Sequence, residues 1–275
     1  MRRRRTVLLL VAAATLLVAA LPPGLVAVQR RMIYPGASFT YDALPAPPEG
    51  TAAIRVPTAD GEILRALWRP PAPGCGVVVT FHGNASLPER HAARFAAGPW
   101  RARGWGLLAL AYRGYAGSTG RPSERGLVAD GLAALAEAAR RAPGAPVLLH
   151  GHSLGTAVAV AVAATRPHLG LYLEAPFDSM LSMARLFFPA LPAFVLRDTW
   201  RSDARIGAVA GPILIVHGDA DPLIPLALAE RLARAAPPGT RFLPVPGDHV
   251  SLLGQRDAEA EALFRAAIPA GCVAG

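Results

Sequence analysis

Short apolar runs alternate along most of the chain with longer segments in which apolar residues recur every three or four positions. Runs of the first kind are typical of strands buried on both faces of a sheet, and segments of the second kind are typical of helices that cover it. The alternation predicts an α/β fold with a mostly parallel central sheet and helices on both faces. The predicted strands are residues 76–81, 107–111, 147–150, 169–173 and 213–216, and the predicted helices are 88–97, 124–141, 154–165, 223–236 and 256–267.

The N-terminal segment, residues 1–29, has a different pattern. Four arginines, Arg2 to Arg5, precede an uncharged stretch from Thr6 to Val28, which is long enough to cross the hydrocarbon core of a bilayer. We expect a single-pass signal anchor that leaves the rest of the chain on the non-cytoplasmic side of the membrane. The alternative is a signal peptide cleaved near Val18-Ala19-Ala20, which would make the protein secreted or periplasmic.

Length, charge and cysteine spacing limit the number of domains and the kinds of partner and metal site. After a predicted linker at residues 30–50, residues 51–275 are enough for one large domain. The formal charge is +9 and the chain contains no lysine, but the only dense basic run is the N-terminal one, so we expect no nucleic-acid partner. Cys75 and Cys272 lack the spacing of metal ligands, which argues against a metal site; a disulfide between them is an open alternative if the domain is exported. Nothing in the sequence indicates a cofactor, and the oligomeric state stays open.

A glycine-rich motif follows the third predicted strand. Gly151-His152-Ser153-Leu154-Gly155 lies between the apolar run 147–150 and an Ala/Val-rich helical segment, and it fits the pattern G-x-S-x-G. Between a strand and a helix, this pattern forms a tight turn that raises the serine hydroxyl above the sheet, next to the N-terminus of the helix. Ser153 is therefore the candidate nucleophile.

A serine nucleophile needs a base and an acid, which follow it in that fold in the order Ser, acid, His. His249 is the one histidine that comes after both Ser153 and the region of the candidate acids. The strand at 213–216 leads into His-Gly-Asp-Ala-Asp-Pro, so either Asp219 or Asp221 is able to orient the imidazole. We choose Asp221 because it reaches further past the strand end, while Asp219 and Asp248 fit turn-capping roles.

An oxyanion needs preformed donors. One expected donor is the backbone N–H of Leu154, directly after the nucleophile, and the other is the backbone N–H of Asn84 in the loop after the first predicted strand. We expect His82 to be structural, and we expect the side chains of His150 and His152 to point away from the catalytic group.

Seven segments taken together resemble the Bem46-like branch of the α/β-hydrolases, which includes ABHD13 and ABHD17 relatives. The resemblance implies the α/β-hydrolase fold, a triad of Ser153, Asp221 and His249, and oxyanion donors at Asn84 and Leu154. It also implies an N-terminal membrane segment, and some relatives in this branch resemble protein depalmitoylases. The segments are QRRMIYPG at 29–36, FHGNA at 81–85, YRGYAGSTGRPSE at 112–124, GHSLG at 151–155, EAPFDSM at 174–180, PILIVHGDADPLIP at 212–225 and PGDH at 246–249.

Residues 178–203 lie between the strand that ends near Glu174 and the strand that starts at Pro212, and they are too long for a plain connection in this fold. They are rich in methionine and phenylalanine. We expect a small lid at the mouth of the site. One interpretation is that its apolar residues pack on the core; the other is that Phe187 and Phe188 line a groove for the acyl chain of a substrate.

The sequence thus predicts a serine hydrolase that cleaves acyl esters or thioesters of small-molecule or lipid-like substrates through an acyl-enzyme. The alternatives are a serine peptidase or an acyltransferase with the same triad, or a catalytically silent membrane-bound binding protein.

Overall fold

The computed structural model of the protein describes residues 24–268 and Cys272. An eight-stranded sheet forms the centre of this part of the chain, with the strand order β1-β2-β4-β3-β5-β6-β7-β8. The strands are β1 (Ala52–Pro57), β2 (Ile63–Arg69), β3 (Val77–Phe81), β4 (Gly106–Leu110), β5 (Val147–His152), β6 (Gly170–Glu174), β7 (Ile213–Gly218) and β8 (Arg241–Val245).

The predicted mostly parallel sheet is confirmed. Strands β3 to β8 pair in parallel, whereas β1 pairs antiparallel with β2 and β2 pairs antiparallel with β4. The five predicted strands correspond to β3 through β7, all of whose residues are buried. Strands β1, β2 and β8 were not predicted; β1 and β8, at the two edges of the sheet, are partly exposed, so their sequences lack a continuous apolar run.

Helices cover both faces of the sheet, as predicted. One core layer lies between the sheet and α4, α5 and α8, and the other lies between the sheet and α2, α3 and α9. The helices are α1 (residues 24–33), α2 (Pro88–Phe95), α3 (Gly98–Ala102), α4 (Glu124–Arg141), α5 (Leu154–Ala163), α6 (Met180–Arg185), α7 (Ser202–Arg205), α8 (Leu226–Ala235) and α9 (Asp257–Arg265).

Most of the N-terminal segment for which an anchor or signal peptide was predicted lies outside the described residues. Among the helices that are described, none combines the length and the apolar character needed to cross a membrane. The structure differs from the predicted linker over residues 30–38, because α1 continues to residue 33 and a 3₁₀ turn follows at Pro35–Ser38. Tyr34 anchors this stretch, since it is only 1% exposed within the core.

The insertion at 178–203 has short elements of its own and is fastened to the domain by polar contacts. It contains α6, a 3₁₀ turn at Ala193–Val195 and the start of α7. The carboxylate of Glu124 accepts hydrogen bonds from the backbone N–H groups of Thr199 and Trp200, and Arg231 pairs with Asp178 at 2.8 Å. Met180 and Met183 of this segment pack against the core, as the first interpretation expects, whereas the phenylalanines are exposed. The second interpretation, a groove for an acyl chain, stays a prediction.

Cys75 and Cys272 form a disulfide, which the sequence left open. The bond joins positions 197 residues apart, with a Cα–Cα distance of 4.3 Å. Cys75 is buried at the start of β3, so the disulfide ties the C-terminal end of the chain to the middle of the sheet.

Candidate active site

Ser153 occupies the sharp turn between β5 and α5. Its backbone has φ 54° and ψ −122°, a conformation that is unfavourable for any residue except glycine and that is found at strained functional turns. The Ser153 N–H donates to the carbonyl of Glu174, at the end of the neighbouring strand β6, over 2.9 Å. The strained turn is thereby fixed at the carboxyl ends of the strands, where parallel α/β folds usually have their active sites.

The two glycines of the motif are needed because the backbone around the turn is crowded. A Cβ atom at Gly155 would lie 2.0 Å from the carbonyl oxygen of Phe81, and one at Gly151 would lie 2.3 Å from the carbonyl oxygen of Gly155. Either contact would force the backbone apart. The sequence pattern G-x-S-x-G therefore reflects close packing of α5 against β3 and β5 in this structure.

Asp221 and His249 are hydrogen-bonded to each other. The Nδ1 atom of His249 lies 2.7 Å from Oδ2 of Asp221, which follows β7, while His249 follows β8. The second carboxylate oxygen of Asp221 accepts the N–H groups of Leu223 and Ile224 at 2.8 and 2.9 Å. Burial by itself raises the pKa of Asp221, but the hydrogen bonds from His249, Ile224 and Leu223 outweigh it and hold the pKa below its usual range. The carboxylate is therefore ionised at neutral pH.

The other candidate acids make turn contacts instead. Asp219 accepts the N–H of Gly247 at 3.2 Å, and Asp248 accepts the N–H groups of Val250 and Ser251 at 2.8 Å each. These are the capping roles that the sequence analysis gave as their alternatives. Of the three aspartates, the structure brings Asp221 to the imidazole.

The loop that carries Asn84 runs directly beside the serine. A Cβ atom at Gly83 would be 3.4 Å from the Cβ of Ser153. Within the described residues, neither the N–H of Asn84 nor the N–H of Leu154 donates to a protein acceptor. The described part of the chain thus has two backbone N–H groups without a protein acceptor here. One follows Gly83 and the other follows Ser153, the two residues that approach each other.

Two tyrosines, to which the sequence analysis assigned no role, hold this loop in place. The hydroxyl of Tyr115 donates to the carbonyl of Asn84 at 2.9 Å, and the hydroxyl of Tyr112 donates to the carbonyl of His82 at 2.8 Å. Both belong to the YRGYAGSTGRPSE segment that contributes to the family resemblance. The sequence does not predict their hydroxyl-to-carbonyl contacts, because these depend on tertiary packing.

Three other histidines lie around the site. His82 is buried and packs against Tyr112 with the two rings tilted, and burial lowers its pKa to about 4, which agrees with a structural role. His150 points away from the site, as expected, and contacts Thr80 and Glu174. The expectation for His152 is wrong: its Nε2 atom lies 3.0 Å from the carbonyl oxygen of His249, and the two rings are 5.0 Å apart. Burial lowers the pKa of His152 to about 3, so it supports the His249 loop as a neutral ring.

A buried ion-pair network lies beneath the loop that follows His249. Glu174 is fully buried at the end of β6, and its carboxylate binds the guanidinium of Arg94 and accepts the N–H of Gly254 at 3.1 Å. Arg94 also donates to Asp257 at the start of α9 over 2.7 Å. Burial by itself raises the pKa of Glu174, but Arg94 and His150 hold that pKa well below its usual range. The network ties α2, β6 and α9 to the His249 loop, and its members are too far apart in sequence to be recognised from spacing.

A surface pocket of about 510 Å³ opens beside His249. Its lining includes two arginines and no carboxylate: Arg90, His91, Arg94, Val250, Ser251, Leu253 and Gly254. Phe187 and Phe188, which were predicted to bind substrate, do not line this pocket and are 76% and 56% exposed on the insertion. Their predicted role in binding stays a prediction.

Comparison with known proteins supports a hydrolase of this fold. Residues 72–197 match the family model described as Hydrolase_4, serine aminopeptidase, S33. Among solved structures, an esterase of Pyrococcus furiosus, Pf2001, superposes with a TM-score of 0.57 over 79% of this chain and 88% of the esterase, at 18% identity. At that identity the superposition shows the fold alone.

Two curated relatives extend the comparison. Lysophosphatidylserine lipase ABHD12 of Mus musculus is 31% identical over 158 residues, a match that covers 50% of this chain and 40% of the lipase. The protein named Uncharacterized protein Rv2307c, of Mycobacterium tuberculosis H37Rv, is 36% identical over 225 residues, which is 80% of this chain and 79% of the relative. The match to Rv2307c spans about four fifths of both proteins. With the fold and the matched family model, it shows that the chain belongs to the α/β-hydrolase superfamily, in the same family as Rv2307c.

Proposed function

We propose that this protein is a serine hydrolase that cleaves acyl esters or thioesters, with Ser153 as nucleophile, His249 as general base and Asp221 as the acid. The observation that carries the proposal is the 2.7 Å contact between His249 and Asp221, together with the 3.0 Å contact of the His249 carbonyl with His152, which directly precedes Ser153 in its strained turn. A nucleophile, a base and an orienting carboxylate in this order are the components of the hydrolase triad.

In the proposed reaction, Nε2 of His249 takes the proton of Ser153 Oγ as the oxygen attacks the acyl carbonyl. Asp221 holds the N–H at Nδ1, which fixes the tautomer and stabilises the imidazolium that forms. The carbonyl oxygen becomes an oxyanion that accepts hydrogen bonds from the N–H groups of Asn84 and Leu154. His249 then protonates the leaving alcohol or thiol. A water molecule, deprotonated by His249, next attacks the acyl-enzyme, and the carboxylic acid is released as Ser153 regains its proton.

An acyl ester or thioester is the proposed substrate class, and a lipid-like acyl group is the finer proposal. Its support comes from relatives whose names contain lysophosphatidylserine lipase and from the esterase of similar fold. The resemblance to the Bem46-like branch and its depalmitoylase-like members stays a prediction, because the curated relatives reported above are of another kind.

A peptidase is the second candidate, since the matched family model is described as a serine aminopeptidase. An aminopeptidase binds a cationic substrate N-terminus, for which a nearby carboxylate is the suitable partner. The pocket next to the His249 loop has no carboxylate in its lining, but neither Ser153 nor His249 lines it, so its charge does not decide between the two candidates. We place the ester first because the curated relatives include proteins named lysophosphatidylserine lipase.

Hydrolysis of matched model substrates tests the order of the two candidates. The purified full chain and its Ser153→Ala variant are assayed on p-nitrophenyl acetate, butyrate and octanoate, on a long-chain acyl thioester and on an aminoacyl p-nitroanilide. We expect turnover of esters and thioesters that needs Ser153 and whose kcat/KM rises with acyl length, because each buried methylene contributes about 0.8 kcal/mol. Faster turnover of the anilide than of every ester would favour the peptidase, and a flat length profile would remove the lipid-like substrate.

We also propose that the N-terminal segment attaches the protein to a membrane, with the catalytic domain on the non-cytoplasmic side. The support is the arginine run before an uncharged stretch in the sequence, together with the Cys75–Cys272 disulfide, since such bonds persist in oxidising compartments. Carbonate extraction of membranes tests this: the full chain is expected in the pellet, and a mature N-terminus near Leu21 with a soluble protein would favour the signal peptide.

A further inference from the structure

An exposed apolar surface, here called the apolar face, lies outside the catalytic group. Phe194 is 88% exposed, more than any other large apolar residue in the described part of the chain. Large apolar side chains rarely cluster on the water-facing surface of a soluble domain unless they contact a partner or a lipid surface. The members of the apolar face come from α1 and from the insertion: Leu25, Val28, Met32, Leu186, Phe187, Phe188 and Phe194.

Hydrogen bonds join the two parts of the apolar face into one unit. The side-chain amide of Gln29, on α1, donates to the carbonyl of Val195 at 2.7 Å, and its oxygen accepts the N–H of Arg197 at 3.1 Å. Phe194 directly precedes Val195 in the 3₁₀ turn of the insertion. Gln29 therefore contacts the backbone of the residues directly before and after Leu196, and α1 runs alongside the segment that presents Phe194.

A buried polar junction strengthens this connection. Arg30 pairs with Asp198 at 3.0 Å, and the hydroxyl of Tyr34 donates to the same carboxylate at 3.0 Å while accepting the indole N–H of Trp200 at 3.0 Å. Tyr34, Asp198 and Trp200 are nearly inaccessible to solvent. Because these groups satisfy one another, α1 is held in a fixed position against the insertion.

The charges next to the apolar face are positive and unpaired. Arg31, Arg185 and Arg197 are exposed, and none of them has an acidic partner among the described residues. The carboxylate of Asp198 is buried and already paired with Arg30. Exposed phenylalanine and leucine flanked by free arginines are the combination that binds the interface of an anionic bilayer.

The sequence before α1 identifies what covers the surface. Residues 6–23 contain no charged side chain, and they end where α1 begins. If this stretch lies in a bilayer, the residues that follow it leave the bilayer at its surface. The apolar face is attached to those residues through Gln29 and Arg30, so it lies next to the same surface.

We propose that the apolar face docks on an anionic lipid bilayer, with the phenylalanines in the interfacial region and Arg31, Arg185 and Arg197 at the level of the lipid phosphates. The inference rests on the proposed membrane attachment and not on the proposed reaction, and it is tested without an activity assay.

The experiment measures contact between single positions and lipid. Both native cysteines are in the disulfide, so a single introduced cysteine accepts an environment-sensitive fluorophore. The full chain carrying Phe187→Cys or Phe194→Cys is reconstituted into vesicles of phosphatidylcholine and phosphatidylglycerol that contain a lipid with a nitroxide near its headgroup. The control is Arg166→Cys, which is exposed in the connection between α5 and β6. This connection precedes β6, whereas the insertion follows the other end of the same strand.

We expect a blue-shifted emission and strong nitroxide quenching at 187 and 194, and neither at 166. Arg185→Gln and Arg197→Gln are each expected to lower the ratio of docked to undocked protein by about fivefold, because an arginine near an anionic surface contributes about that factor. Quenching at 187 and 194 no greater than at 166 would overturn the proposal. A blue shift without nitroxide quenching would also overturn it and would indicate a second copy of the chain on this face. Equal quenching in pure phosphatidylcholine would overturn the part played by the arginines.

Discussion

At the scale of single residues, the proposed acid is set apart from its neighbours by how its oxygens are used. Asp221 directs one oxygen to His249 and the other to two backbone N–H groups, so the carboxylate has one orientation. Asp219, two residues earlier, contacts only the turn at Gly247. The order of residues in the sequence limited the candidate acids to these two aspartates. The fold shows that the carboxylate of Asp221 is the one that contacts the imidazole of His249.

The first prediction compares these two aspartates. Asp221→Asn keeps the shape of the side chain but loses the charge that stabilises the imidazolium, so we expect kcat to fall by about 10⁴-fold, as for the same change in other triads. Asp219→Asn is the matched control and is expected to keep activity close to that of the wild type. The measurement is kcat/KM on p-nitrophenyl butyrate, and a larger loss for Asp219→Asn would mean that the acid is assigned to the wrong residue.

The second prediction concerns the loop that carries the proposed oxyanion donor. Tyr115→Phe removes one of the two donors to the carbonyl of Asn84, the other being the N–H of Gly36 at 3.1 Å. The loss should let the N–H of Asn84 move from its position. We expect kcat to fall roughly ten- to a hundredfold with little change in KM, because the donor acts mainly in the transition state. Tyr41→Phe, which changes an exposed tyrosine, serves as the control. A rise in KM with unchanged kcat would show that Tyr115 acts on substrate binding instead.

At the scale of elements, the buried strands were the most predictable part of the chain. Residues Val77 to Phe81 are all buried, and all but Thr80 are apolar, because both faces of β3 are covered. The edge strands β1 and β8 face solvent in part and pair with one neighbour, so their composition is mixed and their pairing is fixed only by tertiary contacts. Helix α4 was predicted with its observed bounds, because Ser123 caps its N-terminus and its apolar residues recur at a regular helical period.

The third prediction tests the network under the His249 loop. Arg94→Met leaves the carboxylate of Glu174 buried without its cation, and we expect a loss of about 3–5 kcal/mol in the free energy of unfolding. Arg90→Met, on the same helix but exposed and without an acidic partner in the described part of the chain, is expected to stay within about 0.5 kcal/mol of the wild type. Urea denaturation followed by fluorescence measures both. Equal, small effects would mean that the network contributes little to stability.

At the scale of the whole molecule, the disulfide and the insertion add constraints that spacing alone did not specify. Two cysteines 197 residues apart meet because the end of the chain returns to the start of β3 after α9. The length of residues 178–203 predicted a functional segment, and the structure shows that its phenylalanines are exposed. Both features depend on long-range packing, which the local pattern of one sequence does not record.

The fourth prediction addresses the disulfide. Closing so long a loop restricts the unfolded chain, so Cys272→Ser is expected to lower the free energy of unfolding by about 4–5 kcal/mol. Chemical denaturation with and without reductant measures the difference. The wild type should become as unstable as the variant after reduction, and the variant itself should not respond to reductant. A wild type that is insensitive to reductant would show that the bond does not form.

The most direct test of the proposed reaction is labelling of the serine itself. A fluorophosphonate probe reacts with a serine only when a base activates it and an oxyanion site receives the phosphoryl oxygen. With the full chain in detergent, we expect stoichiometric labelling of the wild type, its loss in Ser153→Ala and His249→Ala, and a labelled peptide that contains Ser153. Labelling that persists in Ser153→Ala, or a folded wild type that does not react, would contradict the assignment of Ser153, His249 and Asp221 as a working triad.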